Sequence, residues 1–195
     1  MNRIFSTALL ITAISWSACT DNSAASNKNN KGTADTVQMS ATTPDKDKTG
    51  QNNPLAGMTA AYLDMKNGLA GDNGNEAAAA GTKFNTALDQ VNKSMMSAGQ
   101  RKSFEDIADD AREMAEHIST NAGKIAHQRE HFDMLSKDMY DLLKVFGNGQ
   151  HLYEDYCPMY NNNKGAIWLS ETKAIKNPYM GKQQPDCGTV KEEMK

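Results

Sequence analysis

The chain has 195 residues, room for one ordinary domain plus tails. Its net charge of −3, with no run of Lys and Arg interleaved with aromatics, excludes the concentrated basic face that a nucleic-acid binder needs. Methionine is over-used, at 12 residues against 3 cysteines, and a thioether serves equally as flexible core filler and as soft ligand.

The first segment reads as a targeting signal. Arg3 supplies the positive end, residues 4–16 are apolar but too short to span a bilayer, and Ser17-Ala18-Cys19 follows. This resembles a bacterial lipoprotein signal, 1–18, cleaved before a lipidated Cys19. Trp16 departs from the Leu-like residue usual three positions before that cysteine. The resemblance implies export, a lipid anchor in the bilayer through Cys19, and residence in the periplasm or at the outer membrane. Residues 19–53 are Ser, Asn, Thr, Lys, Asp and Gly with almost no large apolar side chain. Such a stretch buries too little surface to offset its ordering entropy and reads as a disordered tether reaching roughly 30 Å.

From Pro54 the apolar residues take up helical period. Leu55, Met58, Tyr62, Met65 and Leu69 form one stripe, broken by Gly71-Asp72-Asn73-Gly74. Ala80, Phe84, Leu88, Val91 and Met95 form a second, ending at Gly99. A third comprises Phe104, Ile107, Ala111, Met114 and Ile118, with Ser103 as N-cap and Asp106 three residues on. Ile125, Phe132, Leu135, Met139, Leu142 and Phe146 make the fourth, closed by Gly147, with Gln128 in a slot that calls for an apolar residue. Short polar connections between such stripes predict an all-α fold, an antiparallel up-down four-helix bundle over 54–147. The period is lost afterwards. Residues 148–195 read as an irregular Cys-containing cap on the bundle, in which Leu152-Tyr153 and Ala166-Ile167-Trp168-Leu169 are short strands or extended segments.

The cap holds the two cysteines that remain once Cys19 is set aside. Cys157 and Met159 flank Pro158, Cys187 returns 30 residues later, and Met180 lies 7 residues before it. Thiolates and thioethers are the donors a soft cation such as Cu(I) prefers. Equally, two cysteines alone in an exported chain pair as a disulfide, which for this loop stabilises by about 3 to 4 kcal/mol in the chain-entropy model. Spacing leaves both readings open. His127 and His131 share a helix face beside Met134, and His117 sits by Met114 and Ile118. These make either a His/Met site between neighbouring helices or a half-buried helix edge; His151 has no assignment. The Glu-x-x-His repeats of a di-iron bundle are missing. So are Gly-x-Ser-x-Gly, a phosphate-cradling glycine loop and Cys-x-x-Cys-His, and the chain reads as a non-enzyme.

The tail carries a family likeness. Cys157-Pro158-Met159, Asn163-Lys164-Gly165, Trp168-Leu169-Ser170, Ile175, Asn177-Pro178-Tyr179, Gly181 and Cys187-Gly188 resemble the signature of the domain of unknown function 3347 family. Tyr62-Leu63-Asp64-Met65-Lys66, Gln128-Arg129-Glu130-His131-Phe132 and Leu135-Ser136 resemble its helices more loosely, so that the likeness spans residues 59–190. It implies an exported protein associated with heavy-metal efflux adaptors, handling copper or a related cation, with an efflux adaptor or metallochaperone as partner. By position, the likeness implies Cys157, Met159 and Cys187 as sulfur ligands and His117 and His131 as its histidines. Gln184 stands where the family has a methionine, and Met180 where it has an aromatic: either a thioether has moved, or this member is a poor metal binder. The expectation is a soft-metal protein, copper first. Its rival is a non-catalytic interaction module pinned by a Cys157–Cys187 disulfide.

Overall fold

A computed structural model describes residues 53–195. The signal segment, Cys19 and all of the tether but Asn53 lie outside the described residues. Asn53 itself belongs to the fold. Its side chain donates to the Gly147 carbonyl at 2.6 Å and accepts the Leu55 amide at 2.8 Å, so a residue assigned to the tether by composition takes part in the fold.

Four helices of more than two turns follow: α1 (Ala56–Ala70), α2 (Gly74–Asp89), α3 (Ala98–Thr120) and α4 (Ile125–Phe146). The first stripe is wholly buried, from Leu55 to Leu69. Thr59, Ala61, Leu63, Lys66 and Gly68 on the other faces of α1 are buried too, as befits a helix packed on several sides. Helix α1 packs on α2 and α4, α2 on α3, and α3 on α4. The approach is close where side chains are small. A Cβ on Gly81 would stand 2.7 Å from the Ala115 carbonyl, and one on Gly68 would stand 2.8 Å from the Ala77 amide.

The second and third stripes divide differently from expectation. Helix α2 stops at Asp89, and a 3₁₀ turn at Lys93–Met95 leaves Met95 66% exposed while Met96 is buried. Helix α3 then opens on Ser97, not Ser103. The Ser97 hydroxyl accepts the Gln100 amide at 3.2 Å, and Gln100 Oε1 accepts the Ser97 amide at 3.1 Å. This reciprocal box satisfies two amide groups at the start of the helix, and it carries Gly99 into the first turn. Helix α4 ends as expected at Gly147, whose φ of 79° only glycine adopts freely.

The tail is where the fold class needs correcting. It is an antiparallel sheet of β1 (Leu152–Cys157), β2 (Ala166–Ser170) and β3 (Thr189–Met194), in the order β2-β1-β3. The protein is therefore mostly helical with a small sheet, rather than all-α with an irregular cap. Strands β1 and β2 form a hairpin in the register Tyr153↔Ser170 to Cys157↔Ala166. The turn between them carries Asn161, Asn162 and Asn163 in left-handed conformation, a region asparagine tolerates better than other side chains. Strand β3 pairs with β1 across a bulge at Glu154/Asp155.

Helices and sheet meet at a buried polar point. The buried Tyr62 hydroxyl accepts the Leu169 amide at 3.0 Å and pairs with Ser136 Oγ at 2.8 Å, while Ser136 Oγ donates to the Phe132 carbonyl at 2.7 Å. The Tyr62 ring stacks on Phe132 with centroids 5.0 Å apart. Tyr179 completes the group by donating to the Ile167 carbonyl. Nearby, Lys66 is fully buried and holds Glu171 at 2.7 Å; burial pulls its ammonium below the ordinary lysine range. Asp155, also buried, has no hydrogen-bond partner on either oxygen, and burial above all pushes its carboxyl up to about 7.

Tyr62→Phe leaves the Leu169 amide without an acceptor and is expected to cost on the order of 1–3 kcal/mol in urea unfolding with the far-UV spectrum unchanged. Asp155 binds its proton more tightly folded than unfolded, so stability contributed by the neutral carboxyl is present at acid pH and lost as pH rises from about 4 to about 7. Asp155→Asn should therefore flatten the pH dependence of unfolding over that window and stabilise the protein at pH 8.

Candidate metal centre

Three imidazoles converge where α3 hands over to α4. His117 lies in the last turn of α3, and His127 and His131 lie on successive turns at the start of α4. The spacing of four puts the latter two on one face, and the tight connection of residues 121–124 folds that face onto the end of α3. Gln128 holds this hairpin shut. Its Nε2 donates to the Ile118 carbonyl at 2.9 Å, one of the carbonyls that a helix end leaves unpaired, and to the Gly74 carbonyl at 2.9 Å. The polar residue in an apolar slot of the fourth stripe thus has a structural task, and that task positions the histidines on either side of it.

One ring nitrogen from each of His117, His127 and His131 lies within 4.8 Å of the others. His127 Nε2 and His131 Nε2 are 3.2 Å apart. Tetrahedral bonds of about 2.05 Å place neighbouring donor nitrogens about 3.3 Å apart, so this pair fits a common cation. The Met114 thioether adds a soft atom 3.3 Å from His131 Nδ1. Glu130 Oε2 sits 3.3 Å from His127 Nδ1, and Glu113 Oε1 sits 3.7 Å from His117 Nε2. A carboxylate behind an imidazole is the usual means of orienting a ligating ring, and here Glu130 leaves His127 Nε2 turned to His131. His117 instead stacks on His131, with centroids 4.2 Å apart and planes 12° from parallel. Parallel stacked rings do not aim at one point, so His117 joins a shared cation only by rotating its side chain.

The sulfur residues gather elsewhere. Cys157 Sγ and Cys187 Sγ are 3.2 Å apart as free thiols, Cys157 buried and Cys187 half-buried. Hydrogen bonding to Cys157, with burial second, raises the Cys187 thiol. Among the described residues no His, Asp or Glu completes a group of three with them. Met159 is 50% exposed, and neither it nor Met180, which packs against the core, makes a hydrogen bond to either thiol. The residues singled out from sequence and likeness are thus split: His117 and His131 belong to the imidazole cluster, while Cys157 and Cys187 form a separate pair. His127, expected from helix spacing as part of a His/Met site, joins the cluster, whereas Met114 Sδ lies against Nδ1 of His131, the ring nitrogen turned away from His127. Met134 is 42% exposed on α4. His151 lies apart, paired with Glu193 at 2.9 Å.

A mostly helical domain bearing an imidazole cluster at a helix hairpin is the class that fold and site define. Residues 58–151 match the family described as Protein of unknown function (DUF3347). This is the family that the sequence resembles, and the match takes in all four long helices and the whole cluster, while the sheet and the tail motifs lie beyond it. No curated protein and no solved structure matches the chain.

Burial first, then the neighbouring charges of His117 and His127, hold the His131 imidazolium below its ordinary range. In a histidine-resolved NMR titration His131 should titrate below about 6.5, and His117→Ala should move it back toward that value. Folded His131 takes up a proton less readily than the unfolded chain, so its contribution to stability is present above about 6.5 and lost as pH falls through the titration.

Proposed function

We propose that this is an exported, lipid-anchored protein whose four helices form an antiparallel up-down bundle that binds copper as an accessory to cation efflux or metal homeostasis. The observation that carries the reading is the convergence of His117, His127 and His131 from two helices, with Met114 alongside. Imidazole suits copper and zinc alike, and the choice of copper rests on the family likeness. Support for export comes from the leader and Cys19, and support for a tie to efflux from the family likeness. An efflux adaptor or a metallochaperone is the partner that such a role needs; the acidic composition offers nothing to nucleic acid. The protein holds and passes a cation rather than transforming a substrate. Copper, when bound, supplies only its own coordination chemistry. Glu130 and Gln128 hold the receiving rings, and His117 is the side chain that moves.

Anaerobic titration of Cu(I) into the reduced full chain, in competition with a chromophoric chelator, tests this. One equivalent should be withdrawn from the chelator, and affinity should fall at least about tenfold in His127→Ala/His131→Ala. It should change little in Cys157→Ser/Cys187→Ser. Loss in the cysteine variant alone would move the site to the thiols. No competition at all would remove the metal reading and leave a non-catalytic interaction module.

A further inference from the structure

The thiol pair is built into the fold in a way that metal binding at the histidines does not use. Cys157 ends β1, opposite Ala166 in the central register, and is fully buried. Cys187 comes from the other direction, just before β3, and only it is open to solvent. Its position is fixed from both sides. Gly188 has a φ of 149°, and a Cβ there would stand 2.8 Å from Trp168 Cη2, so the backbone after Cys187 lies flat against the sheet. Before it, the Cys187 amide donates to the Gln184 carbonyl at 3.2 Å, and the Cys187 carbonyl accepts Asn177 Nδ2. Asn177 is itself a buried hub. Its Oδ1 accepts the amides of Tyr179 at 2.8 Å and Met180 at 2.9 Å. The segment it organises is tied to α4 by Arg129 Nε on the Pro178 carbonyl at 2.7 Å, and to the α1–α2 turn by the Lys182 amide on Asp72 Oδ2 at 3.0 Å.

We propose that Cys187 is the solvent-accessible thiol through which the pair exchanges with external disulfides, and that Cys157 resolves it to give a reversible Cys157–Cys187 staple locking residues 171–187 onto the fold. The step balances without any other reagent. The Cys187 thiolate attacks one sulfur of a disulfide R–S–S–R; that bond breaks, and one R–S⁻ leaves and takes up the proton lost by Cys187. Cys157, losing its own proton, then attacks Cys187 Sγ, from which it stands 3.2 Å away in the reduced pair. The mixed disulfide breaks, and the second R–S⁻ departs as R–SH. Two protein thiols are oxidised and one external disulfide is reduced to two thiols. The order of attack follows from access, since a buried Cys157 cannot meet an external disulfide first. The inference stands apart from the metal reading, since none of the histidines takes part.

The test uses the full chain with Cys19→Ser, so that only the pair is counted, and with a chelator present throughout, so that its outcome is independent of copper. Oxidised glutathione should convert this chain to an internal disulfide lacking two hydrogens. Cys157→Ser should stop at a glutathione adduct on Cys187, whereas folded Cys187→Ser should stay unmodified at Cys157. The staple should slow tryptic cleavage at the exposed Lys173, Lys176 and Lys182 about tenfold and raise the Tm by roughly 10 °C. Equal adducts on the two single variants would overturn the assignment of Cys187 as entry thiol. Full oxidation that leaves both proteolysis and Tm unchanged would overturn the lock. Should Cys157→Ser fail to fold, brief alkylation of the reduced native pair with peptide mapping decides the same point: label on Cys187 first supports it, and equal label on both sinks it.

Discussion

At the centre of the fold the hydroxyl of Tyr62 accepts the Leu169 amide and pairs with Ser136 Oγ, binding α1, α4 and β2 to one oxygen. Among the described residues β2 is an edge strand, bonded only to β1, so amides on its far side have no strand there to meet. A buried amide left in that state costs on the order of 1–3 kcal/mol, and a small sheet has little apolar area with which to offset it. The helices supply the missing acceptor. That dependence runs both ways, because the ring that delivers the hydroxyl is stacked on Phe132, Phe132 is met at an angle by Tyr179, and the Tyr179 ring also meets Trp168 of β2. Sheet and helices are therefore one cooperative body over the described residues, and the two candidate sites hang from a common frame.

Much of the helical part was legible in the sequence, because burial follows a 3.6-residue period and each stripe is local. The errors fell where local signals competed. Ser103 with Asp106 and Ser97 with Gln100 are both plausible boxes, and the choice depends on where the chain must turn between α2 and α3. Met95 and Met96 are adjacent, and a single 3₁₀ turn decides which of them faces the core. The sheet was harder to see. Its strands are five or six residues long, β1 and β3 are joined only after an intervening strand and a long loop, and a bulge breaks the alternation. Pairing of that kind is specified by tertiary partners such as Tyr62 rather than by any window of sequence.

For the site, residue chemistry was legible and grouping was not. The cysteines, methionines and histidines were all visible, yet spacing along the chain does not say that two cysteines 30 residues apart touch while the histidines assemble elsewhere. His127 and His131 could be placed on one face from their interval alone. That His117 reaches them depends on the short α3–α4 connection and on Gln128, a residue conspicuous in sequence only as a polar intruder. Asp155 carried no signal at all and Arg129 only its place in a helical motif, since their roles come from loops and strands that pack against them from far along the chain.

The two margins of the sheet are protected in different ways. Along β2 the margin is closed by the helices and by the Tyr62 hydroxyl. Along β3 it is open, but Thr189, Lys191 and Glu193 are exposed there, Glu192 is drawn to Lys144 and Tyr140, and Glu193 to His151. A second chain adding a strand at this margin would have to bring its own backbone against fixed charges and strip ion pairs that already have partners. This margin is therefore a poor template for a further strand, whether from this chain or from another.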